Sequence, residues 1–589
     1  MARLIVILGL GFLVTLGLVL SAPSTTVKAQ TLAAGVTLRP ASDTGGNVLG
    51  GPRGIVKTPK GQAVDGLMVQ LVAQKTAIRT TVYTDELGRY EFPKLESGTY
   101  TLRLARPLEY QRYQRDGVHI DGMTHLEDIV VDRVAPGEFL PPTADIMPQL
   151  TGAEWIANMP GSAFEKKTFL NACGAGCHSL DYPFRVRYDE EGWRKLIYRM
   201  TGYTYRTLVP PIGRGGAGVA MGEYGSRGGE SLKVVANWLS RVRGLDSEVP
   251  ALKPFPRPVG AATRAIVTEY EIPWELQNIH DVAGDREGNL WFTINRAPFI
   301  GKLDPTTGKV TQYRVPAAPP LNIRMRGGAG SDAIYRFDPK IGLTPGLHWI
   351  EVDQTSGIVW ATDTWSQALY RLDPRSGDFQ VVNTGLFGNI ALSPDGAMIG
   401  RLEAGRIRLY DTKTVMQTGK PVKEIPTTTI GSTYGNFFSR DGRYFGGAGS
   451  QIFRYDLQTE ELRELSALSP DVGSARGDFD PEGNLWGGGK GGKLVKYNPK
   501  SGVIGEYAPP TPFVNFYTAR ADKNGEIWAG EMSGGRVARF NPRTHQWIEY
   551  VLPSPYGFDF NSWIDNSTNP PTFWYGDQYG FITRVQPLQ

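Results

Sequence analysis

The chain has 589 residues, with 63 basic against 59 acidic side chains and a formal net charge of +4, too small an excess to mark a nucleic-acid partner. Its 40% hydrophobic and 21% charged residues exclude a disordered chain, and its length exceeds one ordinary core and predicts about three domains. With 72 glycines and 11% aromatics the composition favours short strands and tight turns, and two cysteines are too few for a disulfide-stapled scaffold.

Residues 1–29 read as an export signal. Arg3 precedes an almost wholly apolar run from Leu4 to Leu20, and Val27-Lys28-Ala29 offers a cleavage site after Ala29. The same run is near the length that spans a bilayer, so an uncleaved anchor is the alternative and the one route to membrane attachment. Either way the bulk of the protein is expected in the periplasm or secreted. Residues 30–50, rich in Gly, Thr and Ala, are expected to be a linker.

From 51 to 135 the chain alternates with period two between Gly turns. Gly54-Ile55-Val56, Met68 to Val72, the Thr84-Asp85-Glu86-Leu87-Gly88-Arg89-Tyr90-Glu91-Phe92 run and Gly98 to Leu104 predict short strands at about ten-residue spacing, a β-sandwich. The set Gly54-x-Val56, Gly61-x-x-Val64, Thr84-Asp85-x-x-Gly88-x-Tyr90-x-Phe92 and Gly98-x-Tyr100 resembles the carboxypeptidase regulatory-like domain. That resemblance implies a seven-stranded sandwich without catalytic residues.

Residues 136–160, with Pro136, Pro141, Pro142 and Pro148, are expected to form an extended linker. Helical spacing then predicts helices over Ala163–Ala172, Asp189–Tyr203 and Ser231–Arg243, with a Gly-rich loop from Gly213 to Gly229. Between the first two lies Cys173-Gly174-Ala175-Gly176-Cys177-His178. Two thiols adding across two vinyl groups, with the next imidazole on iron, is the chemistry of covalent haem c. The usual spacing has two residues between the cysteines; here there are three small ones. A Cys173–Cys177 disulfide and a metal site are the other readings. The segment 161–245 resembles a small cytochrome c domain, which implies His178 as proximal iron ligand and a distal Met. Met221, in the loop before the last helix, is the expected ligand; Met200, on the face with Trp193, is its competitor.

From 262 to 589 a turn of type Asp-x-Glu-Gly-Asn-Leu-Trp, at Asp285–Trp291 and Asp480–Trp486, recurs in looser form before Trp360, Ile399, Phe445, Trp528 and Trp574. A period of roughly 40 to 45 residues with four short strands per unit predicts a seven-bladed propeller, with Ala265–Tyr270 closing the ring and 317–345 as an insertion. Gly288 to Thr293, Ile300 to Pro305 and Tyr313-x-Val315-Pro316 resemble the streptogramin (virginiamycin B) lyase family. That resemblance implies a metal ion, a glutamate and histidines in the central funnel. The places after Trp486 and Trp528 depart from the family: Gly487 to Lys490 hold no Glu or His, and Ala529-Gly530 lead only to Glu531. The funnel candidates are His280, Asn389, Asn436, Arg476, Asp478, Arg520 and Glu531. Trp349, Tyr434 and Tyr517 are placed beside them, His348 begins another inner strand, and His545 falls in an outer turn.

The expected fold is therefore mainly β: an N-terminal β-sandwich, a small α-helical cytochrome c-like domain and a C-terminal seven-bladed β-propeller. The expected function is electron transfer coupled to a redox reaction. Haem c would be the cofactor, and a divalent metal in the funnel a further one. The partners would be an electron-transfer protein or a quinone-linked one, with a small-molecule substrate. A streptogramin lyase-like metal-dependent lyase or hydrolase, and a non-enzymatic binding scaffold, are the alternatives.

Overall fold

The computed structural model describes residues 25–28, 48–173, 179–203, 229–274, 278–294, 297–317, 337–338, 342–343, 346–363, 367–385, 388–431, 433–469, 472–473, 475–489, 491–557 and 559–589. Cys177, His178, Met221, the apolar run Leu4–Leu20 and most of the 317–345 insertion lie outside the described residues, as does the side chain of Met200. Among the described residues no helix is long and apolar enough to cross a membrane.

The sandwich starts at Leu49, inside the stretch read as a linker. One sheet sets Leu49–Lys57 between Arg89–Pro93 and Ile129–Val130; the other runs Arg79–Tyr83, Met68–Ala73, Gly98–Leu104, Gln114–Ile120. Alternating side chains meet in a core around Val56, Leu71, Phe92, Leu102, Ile120 and Ile129. The Thr84-Asp85-x-x-Gly88 run owes its residue types to one turn. Thr84 Oγ1 accepts the Leu67 amide at 2.8 Å, and Asp85 Oδ1 accepts the Leu87 and Arg89 amides at 2.9 and 2.8 Å. Gly88 sits at φ 72°, where a Cβ would lie 2.3 Å from the Val56 carbonyl oxygen.

The linker expected over 136–160 is partly helical. Gly152–Asn158 is an α-helix with a reciprocal cap: Thr151 Oγ1 accepts the Glu154 amide, and Glu154 accepts the Thr151 amide at 2.8 Å. Prolines mask this start, although Thr151-x-x-Glu154 is the sequence signature of such a cap. The helical domain therefore begins well before 161, since Leu140, Ile146, Leu150, Trp155 and Ile156 belong to its core with Phe169, Phe184, Trp193, Trp238 and Leu239. Three further helices, Ala163–Cys173, Glu190–Tyr203 and Gly229–Val242, lie within a residue or two of expectation. The first and last pack together, with Phe169 and Trp238 ring centroids 5.2 Å apart.

Among the described residues, seven antiparallel sheets of four or more strands follow, whose inner strands are Ile279–Gly284, Leu347–Val352, Ala391–Leu392, Phe437–Phe438, Ala475–Phe479, Arg520–Ala521 and Asp559–Asp565, and a two-stranded ribbon pairs Phe337–Asp338 with Gly342–Leu343. The seven sheets are blades one to seven. In blades one, five and six the repeated Asp holds the turn together: Asp285, Asp480 and Asp522 accept the indole N–H of Trp291, Trp486 and Trp528 at 2.8, 2.8 and 3.0 Å. Each Trp is buried between blades. Ala265–Glu271 closes blade seven by pairing with Phe581–Pro587, as the repeat predicts. Its other edge pairs with Arg79–Tyr83 of the sandwich, so four sandwich strands and blade seven form one eight-stranded sheet. An outer propeller strand is ordinarily an open edge; here it is covered, and Tyr83 Oη adds a bond to the Val551 carbonyl at 2.5 Å. On blade two, Thr25–Lys28 pairs with Asp378–Asn383 as a fifth strand.

Candidate functional site

The inner strands all run along the propeller axis in one direction, so residues early in each strand share one end of the channel, here called the mouth. Strict alternation is broken where it matters. Irregular pairings fall between Ile279 and Val282, between Leu347 and Trp349, and between Asp559 and Ser562. A bulge re-aims side chains toward the channel. In blade one it directs both His280 and Asp281 into the interior, where both are buried.

At the mouth, four rings from four blades meet. The His280 and His348 ring centroids are 3.9 Å apart, and Tyr434 and Tyr517 stand edge to face with centroids 5.4 Å apart. Asp281 Oδ1 lies 2.6 Å from His280 Nδ1; a carboxylate only accepts, so Nδ1–H donates. His280 Nε2 then accepts the Tyr517 hydroxyl, 3.2 Å away. The Tyr434 and Tyr517 hydroxyls are hydrogen-bonded to each other, and Tyr434 Oη lies 3.5 Å from His348 Nε2. One assignment of protons satisfies this chain: His348 donates to Tyr434, Tyr434 to Tyr517, Tyr517 to His280, and His280 to Asp281. Burial, reinforced by Tyr434, pushes the Tyr517 phenol well above its ordinary value, so it is held as a donor.

Beneath the rings a polar layer bridges the channel. Arg476 Nη1 donates to both Asp281 oxygens at 2.9 Å, its Nη2 donates to Asn389 Oδ1, and Asn561 Nδ2 donates to Asp281 Oδ2 at 3.1 Å. The Arg476 guanidinium also faces the Tyr434 and Tyr517 rings, 5.3 and 4.9 Å from their centroids. Burial alone raises the Asp281 carboxyl, but Arg476 and then His280 outweigh it and hold the group below the usual carboxylate range.

Beyond that layer lies a cavity of about 230 Å³, lined among others by Glu351, Asp478, Arg520, Asn436, Trp349 and Phe437. Asn436 is committed to the wall, accepting the Leu402 amide at 3.0 Å. Arg520 donates to the Ser562 carbonyl at 3.0 Å and to Asn561 Oδ1 at 2.9 Å. Asp478 accepts the Phe479 and Ala521 amides at 2.8 and 3.3 Å. Burial raises the Asp478 carboxyl against the pull of Arg520 and Arg440.

Of the sequence candidates, the channel thus joins His280, Asn389 and Arg476 directly and places Asn436, Asp478 and Arg520 around the cavity. Glu531 is buried at the end of the second strand of blade six, bridged to Phe516, and does not line the cavity. His545 is exposed in an outer turn. Among the described residues no group of three or more His, Cys, Asp or Glu is placed to hold a metal ion. Sequence reasoning missed Asp281, Asn561 and Glu351. The first two are turned inward by bulges that no periodicity reveals. Glu351 was findable, because it shares a strand face with Trp349 two residues earlier.

The helical domain sits on the mouth face. In blades six and seven that face carries the turns after the second strands, since Glu531 bridges to Phe516 and Asp577 pairs with Asp559. Ala153 donates to the Ser533 carbonyl at 2.8 Å, and Arg185 covers the Tyr556 ring at 4.5 Å. The Ser179 amide reaches Tyr579 Oη at 3.2 Å, and the two hydroxyls are 2.8 Å apart.

Residues 53–128 match the family model of the carboxypeptidase regulatory-like domain. No curated protein matches the chain. Among solved structures, the chain is similar to a streptogramin B lyase at 18% identity, with a TM-score of 0.43, over 56% of this chain and 100% of that one. It is also similar to selenomethionine-substituted virginiamycin B lyase from Staphylococcus aureus, at 15% identity and TM-score 0.42, over 55% of this chain and 99% of that one. A catalytically inactive variant of the Staphylococcus aureus enzyme with quinupristin gives 15% and 0.43, over 55% and 99%.

Proposed function

We propose that the chain is an exported redox protein that binds an organic substrate at the propeller mouth, beside a covalent haem c on the helical domain. The observation that carries this reading is the Ser179–Tyr579 contact. Ser179 directly follows Cys173-Gly174-Ala175-Gly176-Cys177-His178 and is tied to the mouth face of blade seven. The donor set fits the group: two thiols and an imidazole in one short segment. Cys173 ends the helix that packs on the last helix, at the edge of the aromatic core. Cys173 and Cys177 would hold the porphyrin, His178 the iron, and Met221, or Met200 in its place, the far side. When bound, haem supplies a one-electron couple, which calls for an electron-transfer protein or a quinone-linked partner.

The mouth residues supply proton handling. His280 Nε2 is the group that takes a proton, Asp281 fixes its tautomer and orientation, and the Tyr517–Tyr434 pair passes protons across the opening. Export through residues 1–29 completes the proposal, since haem attachment of this kind takes place outside the cytoplasm.

Protein matured with haem-attachment machinery should show sharp reduced absorption bands and stain for haem after denaturation. Cys177→Ser should abolish the stain. His280→Ala should leave the spectrum intact and slow substrate-driven haem reduction by about 10²–10⁴-fold. Colourless protein with Cys173 and Cys177 joined as a disulfide would overturn the reading. The second reading, a lyase or hydrolase that works without the haem, is favoured by the Asp281–His280 pair, an acid–base unit complete in itself. Turnover lost in His280→Ala yet unchanged in Cys177→Ser would establish it.

A further inference from the structure

The cavity beyond the bridging layer is separate from the mouth. Arg476, Asn389 and Asn561 form its floor toward the mouth, and neither histidine nor either phenol of the mouth lines it. Its charged groups are not all paired: Arg476 is bound on both Nη1 contacts to Asp281, Arg520 and Arg440 both draw on Asp478, and no ion pair reaches Glu351 among the described residues. Asp478 is held by two backbone amides. The Glu351 backbone pairs with Trp360, but its carboxylate makes no hydrogen bond or ion pair among the described residues and opens on the cavity. Trp349 and Phe437 supply aromatic walls, and Leu392 and Phe438 extend the apolar surface. A carboxylate without an ion pair, beside aromatic faces, is the recognition chemistry of an organic cation: a charge for the head, ring faces for its apolar shell.

We infer that this cavity is a binding site for a small organic ammonium ion, with Glu351 as its counter-ion and Trp349 and Phe437 against its alkyl groups. A cavity of about 230 Å³ has room for a guest of about ten non-hydrogen atoms. The inference does not depend on the mouth or on haem.

Charge at Glu351 should govern affinity. Burial pushes the Glu351 carboxyl up to about 7; Arg520 and Arg476 pull it down, and Asp478 and Asp281 push it further up. A cation that pairs with the ionised form displaces the proton, so binding strengthens as pH rises through 7.

The test is calorimetric titration of the full chain with tetramethylammonium chloride and butylammonium chloride, against sodium chloride and neopentyl alcohol, the neutral look-alike. Saturable ammonium binding is expected, about tenfold weaker at pH 6 than at pH 8. It should be lost in Glu351→Gln and kept in His280→Ala. Absence of ammonium binding at pH 8, equal binding of neopentyl alcohol, or equal affinity in Glu351→Gln would each overturn the assignment. Should Glu351→Gln fail to fold, the wild-type chain's preference for tetramethylammonium over neopentyl alcohol decides, because a cavity without an acceptor carboxylate would take both alike. His280→Ala separates the two proposals, because a failed mouth reading leaves ammonium binding untouched.

Discussion

Replacing Glu154 with alanine should cost about 3–5 kcal/mol and release the helical domain from the rest of the molecule, read as a lower melting temperature and as new proteolytic cleavage between residues 136 and 160. Glu154 is 1% exposed and joins three units at one carboxylate. Its Oε2 pairs with Arg106, which the sandwich contributes, and caps the helix start through the Thr151 amide at 2.8 Å; its Oε1 accepts the Phe255 amide at 2.8 Å, on the strap leading to the propeller. Removing it strands the Arg106 guanidinium, itself 5% exposed, without an anion, and frees two backbone donors. Arg106→Met combined with Glu154→Met should recover part of the loss by eliminating the lone charge. It should not recover all of it, because the Thr151 and Phe255 amides still lack an acceptor. Equal stability of Glu154→Ala and wild type would show that the three units are not clamped there.

Replacing Arg476 with methionine should cost a similar amount, about 3–5 kcal/mol, and should also invert the pH response of the propeller. Asp281 has no exposed surface and relies on Arg476 for a two-pronged charged contact. In the wild type, burial is outweighed by Arg476 and His280, and the folded carboxyl lies below its unfolded value. Its stabilising contribution is therefore complete above the unfolded carboxylate range and is lost as pH falls through the folded value. Without Arg476, burial prevails and the carboxyl rises. The variant should then gain stability relative to wild type as pH falls from 7 toward 5, in chemical denaturation at a series of pH values. Parallel curves would show that Asp281 is neutral in the native protein.

The repeat and the turn chemistry made much of this fold legible in advance. Asp285, Gly288 and Trp291 announce a blade because each acts locally. The carboxylate binds the indole six residues later, and Gly288 at φ 82° turns the chain between them. Helix boundaries were also close, as periodic Trp193, Ile197, Val235 and Trp238 report one buried face. The helix Gly152–Asn158 escaped notice although Thr151-x-x-Glu154 was there to be read. The channel was only partly visible. Alignment on the turn glycines placed His280, Asn389 and Arg476 inward, but it passed over Asp281, beside which the pairing is irregular.

By itself, then, the sequence determined what local chemistry can enforce: strand and helix periods, the glycines of tight turns, the blade count, and the pairing of two thiols with an imidazole in one short segment. Tertiary structure alone decided which groups meet. It ran sandwich strand Arg79–Tyr83 along Ala265–Glu271 to make one sheet, set Ser179 against Tyr579, and drew Asp281, Asn389, Arg476 and Asn561 from four blades to a single point. Those partners stand tens to hundreds of residues apart. Their approach is fixed by closure of the ring and by burial of opposite charges, and neither leaves a short-range trace in the order of amino acids.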